Sequence, residues 1–229
     1  MASIRFQYIF DPLCGWCYAS SPALAALAAL TQEWPAQLDL LPSGMFSGAG
    51  ARPMSADWAA YAWSNDQRIA TATGEVFSDA YHDQVLLDGS TPFDSTAINL
   101  ALTAVRQISS ELEPTLLRHL QLARYVAGRN TSSAQVVAEV TAAALTDAGH
   151  AVGATQLSQR LETDSTLAQQ TDARIRSTRQ LMSRLGIRGV PQLLAEVDGK
   201  LHTIPSAALY QGRDVLLNEL HTRFGGALG

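Results

Sequence analysis

Cys14 and Cys17 are the only cysteines in a chain of 229 residues, and they stand as Cys14-Gly15-Trp16-Cys17. The apolar run Tyr8-Ile9-Phe10 ends at Asp11-Pro12, and an alanine-rich helical pattern opens at the first cysteine. This puts Cys14 on the opening turn of a helix, where free amide donors and the positive dipole end favour an anion. Thiolate is the nucleophilic form of cysteine. Cys17 lies roughly one helical turn further on, within reach of a mixed disulfide formed at Cys14. The pair reads as a redox dithiol, with Gly15 and Trp16 tuning it.

Other uses of two cysteines fit less well. Free cysteines are often plain core residues, but a helix start beside proline and glycine is an odd place for a core pair. Zinc takes about four ligands, and there is no second cysteine pair. His82, His119, His150, His202 and His221 are scattered without ligand spacing. Covalent haem attachment needs histidine directly after the second cysteine, and Tyr18 stands there. No metal and no organic cofactor is expected.

The dithiol has to be positioned by the elements around it. Ile4, Phe6, Tyr8 and Phe10 alternate with Arg5 and Gln7, a strand pattern. A helix is expected from Cys14 to about Trp34, kinked by Pro22, with Leu24, Leu27 and Leu30 as its apolar stripe. Leu38–Leu41 reads as a second strand, and Pro42-Ser43-Gly44 closes a β-α-β unit. From Met45 to about Leu185 strand signals nearly vanish. Ser55, Asp94 and Ser133 are candidate helix caps, and Pro114 suits a first turn. Gly74, Gly128, Gly149 and Gly186 are candidate stops. Met45, Phe46, Trp58, Trp63 and Phe93 suit a core better than a binding groove. Arg174, Arg176 and Arg179 read as the wet face of a helix. Strand character returns at Ile187–Leu194. Asp198-Gly199 is a hairpin signal between Val190–Val197 and Lys200–Ile204, and a last helix carries Leu216 and Leu220. The expected fold is α/β, with residues 1–44 and 187–229 forming one discontinuous domain around an inserted helical domain, 45–186.

Composition bounds the partners. With 47% hydrophobic and 16% charged residues, the chain reads as soluble and globular, and its net charge of −5 gives no sign of nucleic-acid binding. The longest aliphatic run, Ala23–Leu30, is too short to cross a bilayer. Met1-Ala2-Ser3 leads directly into strand-like residues without a secretory leader. A cytoplasmic location follows as an expectation, and cysteines there are more often catalytic than structural.

Three features resemble the DsbA-like branch of the thioredoxin superfamily: the strand running into Asp11-Pro12 and Cys14-Gly15-Trp16-Cys17, the helical interruption, and Gly189-Val190-Pro191 before the late hairpin. The resemblance covers the whole layout, and its motifs rest on about eight residues. It implies a thioredoxin fold interrupted by helices and a thiol–disulfide oxidoreductase or isomerase. Such an enzyme acts on protein, peptide or small-thiol disulfides, with glutathione as a possible redox partner. It also implies a cis bond at Val190-Pro191 facing the cysteine pair, with the Val190 backbone docking an extended substrate. Gly15-Trp16 departs from the Pro-His of the periplasmic oxidant, so no redox potential carries over. The same branch holds glutathione-dependent transferases and isomerases of small molecules. There the position of Cys14 is typically serine, which argues against that alternative.

Overall fold

The computed structural model describes residues 4–225; residues 1–3 and 226–229, including the start at Met1, lie outside the described residues. Strand β1 (Ile4–Phe10) leads into α1 (Gly15–Ala19) and α2 (Ser21–Glu33), and β2 (Ala36–Pro42) follows. Next come α3 (Ala56–Thr73), α4 (Asp79–Tyr81), a π-turn at His82–Leu86, α5 (Thr96–Arg106) and α6 (Glu113–Tyr125). After them run α7 (Ala134–Asp147), α8 (Ala154–Thr163) and α9 (Ser165–Leu185). The chain closes with β3 (Gln192–Val197), β4 (Lys200–Ile204), α10 (Ala207–Tyr210) and α11 (Arg213–Phe224). The fold is α/β: a four-stranded sheet whose sequence is interrupted by a large helical insertion.

The sheet order is β2-β1-β3-β4. Strand β1 pairs parallel with β2, with Tyr8 opposite Leu40, and antiparallel with β3, with Tyr8 opposite Leu193. The alternation in β1 buries Ile4, Phe6, Tyr8 and Phe10. A sheet centre covered on both sides also buries Ile9. The β3–β4 hairpin turns on Asp198 and Gly199, both at positive φ (50° and 73°), the geometry of a tight two-residue hairpin.

Three expectations change. The helix expected from Cys14 to Trp34 is two helices, and the break falls at Ser20 rather than at Pro22. Pro22 has no amide to offer the carbonyl of Tyr18. The Ser21 hydroxyl donates to that carbonyl instead (2.6 Å), and the Ser20 hydroxyl donates to Trp16 O (2.7 Å). Strand β3 begins at Gln192, so Ile187–Pro191 is a loop; proline has no N–H for the ladder. Two arginines of the expected wet face are anchors. Arg174 donates to Glu113, Thr103 Oγ1 and Leu40 O, and Arg179 donates to Ser43 O and Gly44 O. Only Arg176 of the three lies exposed without such a bond.

Inside the insertion, local chemistry sets the helix ends. Ser55 and Ser133 accept from the amides of Trp58 and Val136. The Asp94 carboxylate takes the amide of Thr96 (2.8 Å), while Ser95 occupies the cap position itself. Helix α6 stops at Tyr125, three residues short of Gly128. Helix α5 is buried around nearly its whole circumference and forms the axis of the helical part. A charged chain of contacts ties this part to the sheet. Asp39 on β2 takes Arg5 (2.6 Å) and Arg106 (2.8 Å), Arg106 reaches Glu113 (2.9 Å), and Glu113 takes Arg174 (2.6 Å). No helix among the described residues is long and apolar enough to cross a membrane.

Candidate active site

The cysteine pair is held by a turn built on Asp11. Its carbonyl accepts the Cys14 amide (3.1 Å), and its Oδ1 accepts the Leu13 amide (3.0 Å). Its Oδ2 takes the Phe46 amide (3.1 Å) and the Ser95 hydroxyl (3.2 Å). One carboxyl therefore joins the end of β1, the chain after β2 and the start of α5. Asp11 is fully buried, and burial pushes its carboxyl up to about 6 against the pull of these hydrogen bonds. The sequence marks Asp11 as a strand end and as part of the motif leading into Cys14, not as the carboxyl that holds the turn. The one available signal was an Asp-Pro pair immediately before a Cys-X-X-Cys.

Cys14 is the N-cap of α1, and its carbonyl accepts the Tyr18 amide (3.0 Å). Both cysteines are free thiols; Cys14 is partly exposed, whereas Cys17 is 1% exposed. Burial pushes the Cys17 thiol well up, and its hydrogen bond and charge interaction with Cys14 push the same way. The two thiols thus differ in access by construction. Tyr8 lies beneath them and donates to the Cys17 carbonyl (3.4 Å).

The loop before β3 arrives over Cys14. The Cys14 Sγ lies 3.8 Å from the carbonyl oxygen of Val190, and the Val190-Pro191 bond is cis. The tertiary fold therefore gathers Cys14, Cys17, Val190 and Pro191 from opposite ends of the chain. Trp16 is 36% exposed and leans on Tyr210 at 4.6 Å between ring centroids. Gly15 has the opposite surroundings. A Cβ built there would overlap Asp66 Oδ1 and come within 2.9 Å of Ile69 Cδ1, both on α3. Glycine is what lets the helical part press on the dithiol.

Of the residues weighed as core or groove, Phe93 lies in the core, and Phe46, Trp58 and Trp63 are half-buried against it. Phe93 is buried, and Phe46 and Trp58 close around it at 4.9 and 5.5 Å. Met45 and Tyr61 remain exposed at 39% and 60%, and the Arg52 guanidinium caps the Trp58 ring at 5.0 Å. Trp63 packs on His82 away from this cluster (4.6 Å). Because the Phe46 amide is bound to Asp11, the Phe46–Trp58 shelf is joined directly to the dithiol turn. Among the described residues no three His, Cys, Asp or Glu side chains come together as a metal-binding group.

A central β1 ending in a Cys-X-X-Cys pair, a β3–β4 hairpin and a helical interruption define the class. The chain is a DsbA-like thioredoxin-fold oxidoreductase. It is similar to the cytosolic disulfide reductase DsbM from Pseudomonas aeruginosa, with 29% identity over 96% of this chain and 99% of that one and a TM-score of 0.77. The structure of that reductase with GSH matches at 28% identity over the same shares, with a TM-score of 0.76. A chain from Nitrosomonas europaea shares the fold at 18% identity, over 99% of this chain and 100% of that one, with a TM-score of 0.75. No protein-family model and no curated protein sequence matches the chain.

Proposed function

We propose that this protein reduces disulfides through the Cys14–Cys17 dithiol, and that glutathione supplies or receives the exchanged thiol. One observation carries the reading: a partly exposed Cys14 lies 3.8 Å from the Val190 carbonyl, with Cys17 buried behind it. The Cys14 thiolate attacks one sulfur of a substrate disulfide. A Cys14–substrate S–S bond forms, and the other substrate sulfur leaves as a thiolate and takes a proton. Cys17 then loses its proton and attacks Cys14 Sγ, closing the Cys14–Cys17 disulfide and releasing the second substrate thiol. Two electrons have passed from the dithiol to the substrate. Two equivalents of a small thiol such as glutathione restore the dithiol by the reverse sequence. The Val190 backbone, beside Pro191, offers an edge for an extended peptide. Trp16 offers exposed apolar surface next to Cys14. The reductase direction, glutathione and a cytoplasmic location are supported by the likeness to a cytosolic reductase whose structure was solved with GSH.

Two measurements test the reading together. Iodoacetamide is expected to label Cys14 well before Cys17, because burial restricts access to Cys17 and disfavours its thiolate. Equilibration with a glutathione redox buffer is expected to give a potential in the range of cytosolic reductants, roughly −220 to −300 mV. Labelling of Cys17 first removes the assigned roles; a potential near about −120 mV makes the protein an oxidant.

We also propose that 1–44 with 187–229 and 45–186 are the two structural units, with the dithiol belonging to the first. Limited proteolysis is expected to cut first near Ser47–Pro53 or Gly149–Thr155, where glycine and small residues cluster at the surface. First cuts within α5 or α6 would contradict this division.

A further inference from the structure

Asp66 is an acidic side chain with no part in the exchange steps above, yet it packs against the residue between the two cysteines. It sits on α3, 6% exposed, with Oδ1 against Gly15 and Oδ2 accepting the Tyr81 hydroxyl at 3.0 Å. The titratable and charged groups facing it are Tyr81 on α4 and Arg124 and Tyr125 on α6. His82 in the adjoining π-turn pairs instead with Asp83 (2.6 Å). Arg124 is 1% exposed, and its guanidinium lies over the rings of Phe93 (4.8 Å) and Tyr81 (5.5 Å). Its Nε, Nη1 and Nη2 have no hydrogen-bond partner among the described residues. Asp66 is therefore a buried acid of the insertion packed against the dithiol segment, with a buried base, Arg124, near it.

We infer that Asp66 is a positioning residue whose charge sets the reactivity of Cys14, so that the helical insertion governs the dithiol electrostatically. An ionised Asp66 opposes a thiolate on the adjoining residue, and a protonated Asp66 does not. Ionisation of Asp66 thus makes the reduced pair less favourable and the protein a stronger reductant. Burial pushes the Asp66 carboxyl up to about 7, with the Tyr81 hydrogen bond and the Arg124 charge pulling it back. The change of state accordingly falls near neutral pH. This inference rests on Cys14 being the attacking thiol.

The test is the pH dependence of Cys14 alkylation by iodoacetamide, between about pH 5 and 9, in wild type, Asp66→Asn and Tyr81→Phe. Wild type is expected to show a profile spread over two steps, one of them near 7. Asp66→Asn is expected to give a single step displaced to lower pH, with rates on its rising limb roughly threefold to tenfold above wild type. Tyr81→Phe removes the hydrogen bond that stabilises ionised Asp66, so its neutral-pH step is expected to move upward. A purely structural role would leave the step near 7 absent from wild type or unmoved in both variants, and that result overturns the inference; the Asp11 carboxyl, at about 6, is unchanged in all three proteins. If Asp66→Asn does not fold, the wild-type and Tyr81→Phe profiles still decide. Alkylation reads the thiol without any disulfide substrate. A split profile alongside failure to reduce glutathione disulfide would therefore sink the proposed function and leave this inference standing.

Discussion

Cys17→Ser is expected to stop the reaction at a mixed disulfide, with glutathione or a peptide left attached to Cys14. In the wild type the resolving thiol sits one turn behind Cys14, packed at 1% exposure. Its attack is intramolecular, and oriented intramolecular groups act at effective concentrations far above any millimolar free thiol. Once it is removed, release depends on a second thiol from solution. Turnover of a peptide disulfide should fall by about 100-fold or more, while the adduct accumulates to one per chain by intact-mass measurement. Cys14→Ser is expected to lose both turnover and adduct, because no nucleophile is left at the exposed position. Full turnover by Cys17→Ser would mean a one-cysteine mechanism and favour the alternative of a glutathione-dependent transferase or isomerase.

Glu113→Ala is expected to produce the largest loss of stability among single substitutions outside the apolar core. The Glu113 side chain is 1% exposed and takes Arg106 at 2.9 Å and Arg174 at 2.6 Å. Arg106 continues to Asp39 on β2, and Arg174 continues to the Leu40 carbonyl. Removing one partner of a buried ionic group leaves its neighbours uncompensated, at a cost of about 3–5 kcal/mol. The lower end applies here, since Arg106 is 36% exposed and keeps Asp39. Urea denaturation should show a lower midpoint with an unchanged slope. Cys14 alkylation in the folded protein should not change, because Glu113 contacts these arginines and not the dithiol. An unmoved midpoint would show that the network contributes nothing to stability.

The two acids of this network respond oppositely to pH. Burial pushes Asp39 up, but hydrogen bonds from Arg106 and Arg5 outweigh it and hold the carboxyl below its ordinary range. Its contribution to stability is present above the unfolded value of about 3.9 and is lost as pH falls through the folded value. Burial holds Glu113 above its ordinary range in spite of both guanidiniums. Its contribution is complete below the unfolded value of about 4.3 and declines as pH rises through the folded value.

The sequence alone determined the features that depend on neighbours along the chain. A strand ending at Asp11-Pro12, a dithiol at the following helix start, serine caps at 55 and 133 and a hairpin at Asp198-Gly199 all follow from local backbone chemistry. The period of two in Ile4–Phe10 and the loss of strand signals after Met45 were enough for the fold class. Helix and strand limits were less legible where a side chain replaces a backbone partner. Ser20 and Ser21 moved a helix break away from Pro22 in this way, and Pro191 delayed a strand.

Tertiary structure decided which distant groups meet. Nothing in the spacing of residues 11, 46 and 95 announces that one carboxyl binds all three segments. The pattern of Arg174 and Arg179 on α9 is that of a solvated helix face until the β2 carbonyls and Glu113 are brought beside it. Asp66 and Gly15 lie 51 positions apart and become neighbours only when α3 folds back on α1. Local patterns are read from the chain because short-range sterics and hydrogen bonds fix them. The surroundings of the dithiol depend on groups from separate elements, Asp66 on α3 against Gly15 and the Val190 loop over Cys14, and those meet only once the chain is folded.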